Sequence, residues 1–171
     1  DLSCAFFGSP QIRNVATIGG NVGNASPSAD TAPSLLVHGA TTVLAGAEGE
    51  RTVPVENLFE GPYRSGLKSH ELMLRFILKP AKGMFSDFQK IGRRKALAIA
   101  RMSMAVLADR TKEGTFRFVR LALGSATPTP IRVRAVESFL MGKKLDLPTF
   151  ETGARLMAEE MIRITGRRPS T

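Results

Sequence analysis

Two adjacent glycines near the start of the chain stand between residues that can donate hydrogen bonds. The stretch reads Thr17, Ile18, Gly19, Gly20, Asn21. Because glycine has no Cβ, successive backbone N–H groups in such a turn can closely approach an anionic oxygen. The pattern favours a diphosphate, with side-chain donors from Thr17 and Asn21 at either end. Asp30, nine residues beyond Asn21, could accept a hydrogen bond from a ribose hydroxyl or an adenine amine.

Glycine pairs also form ordinary turns, so the motif alone is weak evidence for a nucleotide. The sequence around it has neither the GxGxxG of a Rossmann site nor the GK[ST] of a P-loop. An ordinary turn and a diphosphate site therefore both stay open at this point.

The first half of the chain contains the elements that would position this stretch. The predicted elements are a strand at 12–24 that ends in the glycine turn, a short helix at 30–39, a β-hairpin at 41–55 and a strand at 71–78. Asp30 or Thr31 suits the N-cap of the helix, and Gly39 suits its end.

The second half is predicted to form a separate unit, with the boundary between residues 80 and 81. Residues 85–91 alternate as a strand. The segment 95–109 has both helical and strand character, and we favour a hairpin that pairs 102–108 with 116–123. Helical spacing follows at 131–141 and 149–164. The order of elements predicts an α+β fold with domains 1–80 and 81–171, the second built on a three-stranded antiparallel sheet backed by helices.

The residue types exclude several kinds of site. A single cysteine, Cys4, cannot form an internal disulfide or supply the four thiolates of a usual iron–sulfur cluster. Two histidines without clustered carboxylates make a protein-built catalytic metal site improbable. The sequence has no apolar run of the length that a membrane span needs. A reducing, cytoplasmic setting is expected.

Charge is distributed unevenly along the chain. Residues 1–64 contain three basic and six acidic side chains, whereas residues 65–171 contain 21 basic and nine acidic ones. The basic half could face an acidic partner or nucleic acid, or could be an ordinary solvated surface. A nucleic-acid-binding module is therefore one hypothesis, although no RRM, KH or zinc-finger pattern is present.

The longer string ATIGGNVGNASPSAD, residues 16–30, closely resembles the second flavin-binding motif of the flavoprotein subunit or domain of molybdenum hydroxylases. The family pattern is T/S-I-G-G-N, eight residues, then an aspartate. The resemblance continues through Arg64, residues 71–78, the string FQKIGRR at 88–94 and the closing GRRPST. It covers essentially the whole chain, which is identified as a member of this group.

The resemblance implies a site and a fold. Thr17, Ile18, Gly19, Gly20 and Asn21 would hold the FAD diphosphate, and Asp30 would contact the adenosine part. Met73 would pack near the flavin, and residues 88–94 would approach the isoalloxazine ring, with Lys90 or the position of Gln89 as the family lysine. Residues 1–80 would be the second half of a two-lobed FAD-binding domain of the PCMH type, and residues 81–171 a C-terminal domain like that of CO dehydrogenase flavoprotein.

The resemblance also implies partner subunits and a missing N-terminal segment. Electrons would arrive from [2Fe-2S] clusters on one partner subunit, after hydroxylation at the molybdenum cofactor of another, and FAD would pass them to NAD⁺ or another acceptor. The family's earlier AGG-type glycine motif has no counterpart before Thr17. This chain is therefore expected to lack the N-terminal part of the FAD domain and to bind FAD poorly alone. A stand-alone flavin oxidoreductase of the same fold is the alternative.

Overall fold

Short helices and antiparallel strands alternate along the chain in the computed structural model, which describes residues 2–5, 7–94 and 97–167. The helices are α1 (Leu2–Ala5), α2 (Pro10–Val15), α3 (Ile18–Gly23), α4 (Thr31–Val37), α5 (Arg134–Leu140) and α6 (Leu147–Thr165). The strands are β1 (Thr41–Gly46), β2 (Gly49–Pro54), β3 (Phe59–Gly61), β4 (Arg64–Ser65), β5 (Leu72–Ile77), β6 (Phe85–Gly92), β7 (Ala100–Arg110), β8 (Phe116–Gly124) and β9 (Ile131–Arg132). A 3-10 helix spans Val55–Leu58. No described helix combines the length and apolarity needed to cross a bilayer. Residues 168–171, the end of the GRRPST string, lie outside the described residues.

The predicted strand at 12–24 is wrong, because this segment forms the short helices α2 and α3. Ser9 caps α2 by accepting the N–H of Ile12 at 3.2 Å, and Pro10 occupies the first turn. Thr17 caps α3 in the same way. Two polar caps only eight residues apart divide the segment, so its apolar residues serve helices instead of one extended strand.

The predicted hairpin and the strand after it are confirmed, and they form one sheet with the order β2-β1-β5. One face of this sheet packs on α3, α4 and the 3-10 helix through a core that includes Val22, Leu35, Leu44 and Leu58. The small β3–β4 pair lies within 57–66, a stretch with loop-like composition. Helix α3 and strand β5 of this sheet thus pack on the same apolar core.

The second sheet has the order β6-β7-β8-β9 and confirms the hairpin over the helical alternative for the described part of 95–109. The predicted three strands gain a fourth, β9, because Ile131 and Arg132 pair with β8 before α5 begins. Strand β6 extends through most of the 88–94 string. Helices α5 and α6 cover one face of the sheet. Asp146 caps α6 by accepting the N–H of Thr149 at 3.0 Å.

Helix α4 connects the two sheets. Leu35 belongs to the core under the first sheet, whereas Leu36 and Val37 pack against Phe88 and Ala122 of the second. Burying each of these aliphatic side chains contributes about 1.5 to 3 kcal/mol. The segments on either side of residue 80 therefore share a core through α4.

A largely buried carboxylate fixes the start of β5. The Arg51 guanidinium donates to both oxygens of Glu71, at 2.6 and 2.8 Å, and the backbone N–H of Lys68 donates at 2.9 Å. The bonds from Arg51 and then Lys68 lower the pKa of the Glu71 carboxyl from 4.5 to about 2. The ionised Glu71 carboxylate therefore stabilises the folded protein.

This pKa shift predicts a defined loss of stability in acid. Because the folded-state pKa of Glu71 is depressed, its contribution is full above about pH 4.5 and disappears as the pH falls towards about 2. We expect Glu71→Gln to lower stability at neutral pH and to flatten the pH dependence across this window, as measured by urea unfolding. Glu48→Gln, which removes an exposed carboxylate from the β1–β2 turn, is the control. Parallel profiles for Glu71→Gln and the native chain would contradict the assignment.

Candidate functional site

The glycine pair lies in the first turn of α3. Thr17 Oγ1 accepts the N–H of Gly20 at 2.9 Å, and the Thr17 carbonyl accepts the N–H of Asn21 at 3.1 Å. In the described part of the chain, the N–H groups of Ile18 and Gly19 have no acceptor. The predicted nest after a strand is thus replaced by a capped helix start, which offers two backbone donors to an anion.

Met73 of β5 lies close to Gly19 and Gly23 of α3. A Cβ built on Gly19 would lie 3.7 Å from the Met73 Cβ, and one built on Gly23 would lie 3.8 Å from its Cε. The absence of side chains at Gly19 and Gly23 therefore allows α3 to approach β5 closely. Two residues that the sequence analysis assigned to one site are in contact, although they are more than 50 positions apart.

Asn21 ties α3 to the start of α4. The hydroxyl of Thr31 donates to Asn21 Oδ1 at 2.6 Å. The Asn21 side chain was expected to donate to a diphosphate, and in the structure its oxygen accepts a bond that fixes the two helices relative to each other. The consequence is that the first turn of α3 and the N-terminus of α4 hold a defined position next to Asp30.

Asp30 and Lys90 form a buried ion pair. The Lys90 ammonium donates to Asp30 Oδ2 at 2.7 Å, and each side chain is only 7% exposed. Asp30 occupies the N-cap position of α4, as predicted, but its carboxylate makes no capping bond. The structure therefore brings Lys90 of β6 to Asp30.

The second oxygen of Asp30 is a buried acceptor without a donor. Asp30 Oδ1 has no hydrogen-bond partner among the described residues. Burial raises the pKa of this carboxyl, against the lowering effect of the bond and charge of Lys90. A buried acceptor without a hydrogen bond destabilises the folded protein until a hydroxyl or N–H group donates to it. The site therefore combines two free backbone donors with one free buried acceptor.

Two serines next to this pair were not predicted from the sequence. The hydroxyl oxygens of Ser103 and Ser125 are also buried and without partners in the described residues. Ser103 of β7 is the register partner of Lys90 on β6 and of Gly124 on β8, and Gly124 precedes Ser125. Neither serine stands out in the sequence, since Ser103 at an inward position of β7 resembles an ordinary core residue and Ser125, just after β8, resembles an ordinary turn residue. The buried polar region thus extends from Asp30 across the second sheet.

A large apolar cavity lies elsewhere. It measures about 750 Å³ and lies between the second sheet and α6, next to Phe116, Leu121, Leu140 and Met157. Its lining is almost entirely apolar, so it offers few partners for phosphates or hydroxyls. The polar groups around Gly19 and Asp30 are the better candidates for a nucleotide site.

Comparisons with known proteins identify the family of the chain. Residues 2–80 match the family described as the FAD binding domain in molybdopterin dehydrogenase. Residues 87–168 match the CO dehydrogenase flavoprotein C-terminal domain. The family and fold class predicted from the residues are confirmed, and neither match supports a nucleic-acid-binding module.

Three individual relatives illustrate the likeness. The chain is 36% identical over 144 residues to a xanthine dehydrogenase FAD-binding subunit of Escherichia coli O157:H7, covering 83% of this chain and 49% of that protein. It is 31% identical over 169 residues to a nicotinate dehydrogenase FAD-subunit of Eubacterium barkeri, covering 95% and 56%. The structure matches a carbon monoxide dehydrogenase of Hydrogenophaga pseudoflava with a TM-score of 0.83 and 30% identity, over 88% of this chain and 52% of that one. The chain thus spans about half the length of each of these three relatives.

Proposed function

Because the chain belongs to the FAD-binding subunits of the molybdenum hydroxylase family, we propose that it forms part of the FAD site of an electron-transferring flavoprotein. The observation that carries this proposal is that the site combines unpaired hydrogen-bond donors with an unpaired acceptor. Free backbone N–H groups at Ile18 and Gly19 and a free buried oxygen at Asp30 lie on helices joined by the Asn21–Thr31 bond.

The chemistry of FAD fits these groups. Its diphosphate offers only acceptors, which match the backbone donors at the start of α3. Its ribose and ribityl hydroxyls and its adenine amine offer donors, which match Asp30 Oδ1. An anion without hydroxyls, such as inorganic phosphate, would satisfy the donors but leave the buried aspartate oxygen unpaired.

The proposed roles follow from the contacts. Residues 17–21 would hold the diphosphate, with Thr17 fixing the first turn of α3. Asp30 would accept from a sugar hydroxyl or the adenine amine. Met73 would form an apolar wall beside the glycines. Lys90 would position Asp30, because its ammonium is bonded to that carboxylate.

FAD, when bound, supplies the redox chemistry, and no side chain of this chain is required as acid, base or nucleophile. We propose that electrons pass from a molybdopterin subunit through iron–sulfur clusters on a second partner subunit to FAD. They would then leave FAD for NAD⁺ or another acceptor. The protein's contribution is to bind and orient the cofactor and to keep water from Asp30. A cytoplasmic location is part of the same proposal.

Cofactor analysis of the native protein tests this proposal. We expect the assembly purified from its source to contain one FAD for each copy of this chain, together with iron and molybdenum, as measured by flavin absorbance and metal analysis. A flavin-free assembly would overturn the proposal. FAD without iron or molybdenum would support the stand-alone flavin oxidoreductase in its place.

A further inference from the structure

The two ends of helix α4 contact two different rows of residues in the second sheet. These rows cross strands β6, β7 and β8 and consist of Lys90, Ser103 and Gly124 in one and of Ser86, Leu107 and Arg120 in the other. They are four residues apart on each strand, which corresponds to about 13 Å. The seven residues of α4 span about 10 Å, so the two ends of the helix can reach both rows.

The first row holds the N-terminal end of α4. Lys90 donates to Asp30, the residue just before the helix, at 2.7 Å. Gly124 also lies close to this end, since a Cβ built on it would be 3.0 Å from Cγ of Pro33 in the first turn. The Asp30 carboxylate makes no capping bond to the helix. Its position therefore depends on Lys90 and on where α4 lies on the sheet.

The second row holds the C-terminal end of α4 through Arg120. Its Nη1 donates to the carbonyl of Val37, the last residue of the helix, at 3.2 Å. A cation is favourable at this end because the last carbonyls of a helix have no intrahelical donor. Gly39 leaves room for the guanidinium, since a Cβ at this position would lie 2.6 Å from Arg120 Nη1. The bond thus depends on a glycine that also ends the helix with a φ of +59°.

The position of Arg120 is fixed from the side of the sheet. Its guanidinium carbon lies 5.2 Å from the centre of the Phe118 ring on the same strand, and Phe118 packs against the core beneath α4. The neighbouring Arg132 and Arg134 are each paired with a carboxylate. Among the residues that the structure describes, Arg120 instead bonds to a neutral carbonyl of α4. Its side chain therefore anchors the helix end and does not form an ion pair.

We propose that Arg120 is a positioning residue of the FAD site and that it acts through α4 on Asp30. A short helix moves as one body, so a bond that holds its C-terminal end also limits where its N-terminal end can lie. Without the Arg120 bond, α4 could shift along the sheet, and the buried oxygen of Asp30 would move away from the FAD group that it accepts. This inference rests on the proposed function, since it concerns the FAD contact assigned to Asp30.

Titration of the cofactor-depleted native subunit with FAD tests this role. We expect Arg120→Met to raise the dissociation constant by about three- to thirtyfold, the range typical of residues that act on a site through packed structure. Arg120→Lys keeps a charged donor near Val37 and should bind FAD more tightly than Arg120→Met. The matched control is Arg117→Met on the same strand, whose side chain is 68% exposed, and it should change the constant less than about twofold. Unchanged FAD affinity in Arg120→Met would overturn the inference.

A second background separates positioning from a general loss of stability. Asp30→Ala combined with Lys90→Met removes both partners of the buried pair, so no charge is left buried without compensation. In this background Arg120→Met should change FAD affinity by less than about twofold, because the carboxylate that Arg120 positions is gone. An equal loss in both backgrounds would show that Arg120 acts independently of Asp30 and would overturn the inference. If the native subunit binds FAD, either negative result refutes only the role of Arg120, whereas a native subunit that binds no FAD refutes the proposed function itself.

Discussion

Gly19→Asp is expected to lower the affinity of the native subunit for FAD by about ten- to a thousandfold while leaving its fold intact. The new carboxylate would stand beside the free N–H groups at the start of α3, where the diphosphate is proposed to bind. Two like charges about 4 Å apart repel by roughly 1 kcal/mol in water and about 4 kcal/mol near a protein surface. Each 1.4 kcal/mol corresponds to about a factor of ten in the dissociation constant.

The fold should accept this substitution. A Cβ at Gly19 would meet its nearest atom, the Met73 Cβ, at 3.7 Å, an ordinary contact distance. An acidic residue in the first turn of a helix also interacts favourably with the helix dipole, by about 0.3 to 1 kcal/mol. Weakened flavin binding would therefore not reflect unfolding.

Flavin fluorescence titration of the cofactor-depleted subunit, with thermal unfolding in parallel, measures both effects. Gly19→Ala introduces the same Cβ without the charge, and Thr52→Asp introduces the same charge on the distant strand β2. We expect both controls to bind FAD much more tightly than Gly19→Asp. If Gly19→Asp bound FAD as well as Gly19→Ala, the diphosphate would not lie at this helix start.

Asp30→Ala is expected to destabilise the folded protein by about 3 to 5 kcal/mol. It removes the carboxylate that accepts the Lys90 ammonium at 2.7 Å, at a position where both side chains are 7% exposed. Removing one partner of a buried ion pair leaves the other charge poorly compensated, and this accounts for the large cost. Chemical unfolding at neutral pH measures it.

A double-mutant cycle separates the pair from the general effect of substitution. Asp30→Asn and Lys90→Met are each expected to destabilise the fold, and the double variant should lose clearly less than their sum. The exposed pair Arg134–Glu56, also at 2.7 Å but with side chains 61% and 41% exposed, serves as the control. Its removal should cost less than about 1 kcal/mol. Similar costs for both pairs would show that Asp30 and Lys90 are not a buried pair in solution.

Strand pairing was the part of the fold that the sequence predicted best. Alternation of apolar residues on both sides of a glycine-containing turn led to the β7–β8 hairpin, and the same reasoning led to β1 and β2. Period-two patterns are clear when one face of a strand is buried and the other is not. The two-residue strand β9 was too short to produce such a pattern.

The helices at the glycine motif were missed for a physical reason. A six-residue helix containing three glycines has low intrinsic helical stability, so composition argues against it. Its stability depends on the Thr17 cap and on Val22, which is fully buried in the core beneath the first sheet. Such tertiary support is invisible in a local sequence window.

The candidate site was predicted as a set of residues but not as an arrangement. The family motif selected Asp30 and Lys90 separately, as groups for different ends of FAD. Their direct bond joins positions 60 residues apart. It depends on how β6 lies against the start of α4, which no spacing rule in a single sequence specifies. The family pattern therefore named both residues, and only the packing of the sheets showed that their side chains are bonded to each other.

Helix α4 limits how this protein could be recombined with its relatives. Leu36 and Val37 lie on the first side of the predicted boundary, yet their neighbours Phe88 and Ala122 lie on the second. A chimera with its crossover at residue 80 would place one relative's helix against another relative's sheet. Such chimeras should fold well only when these facing side chains come from the same parent. The core that both matched families share, and not either family alone, is therefore the part that must be exchanged as a whole.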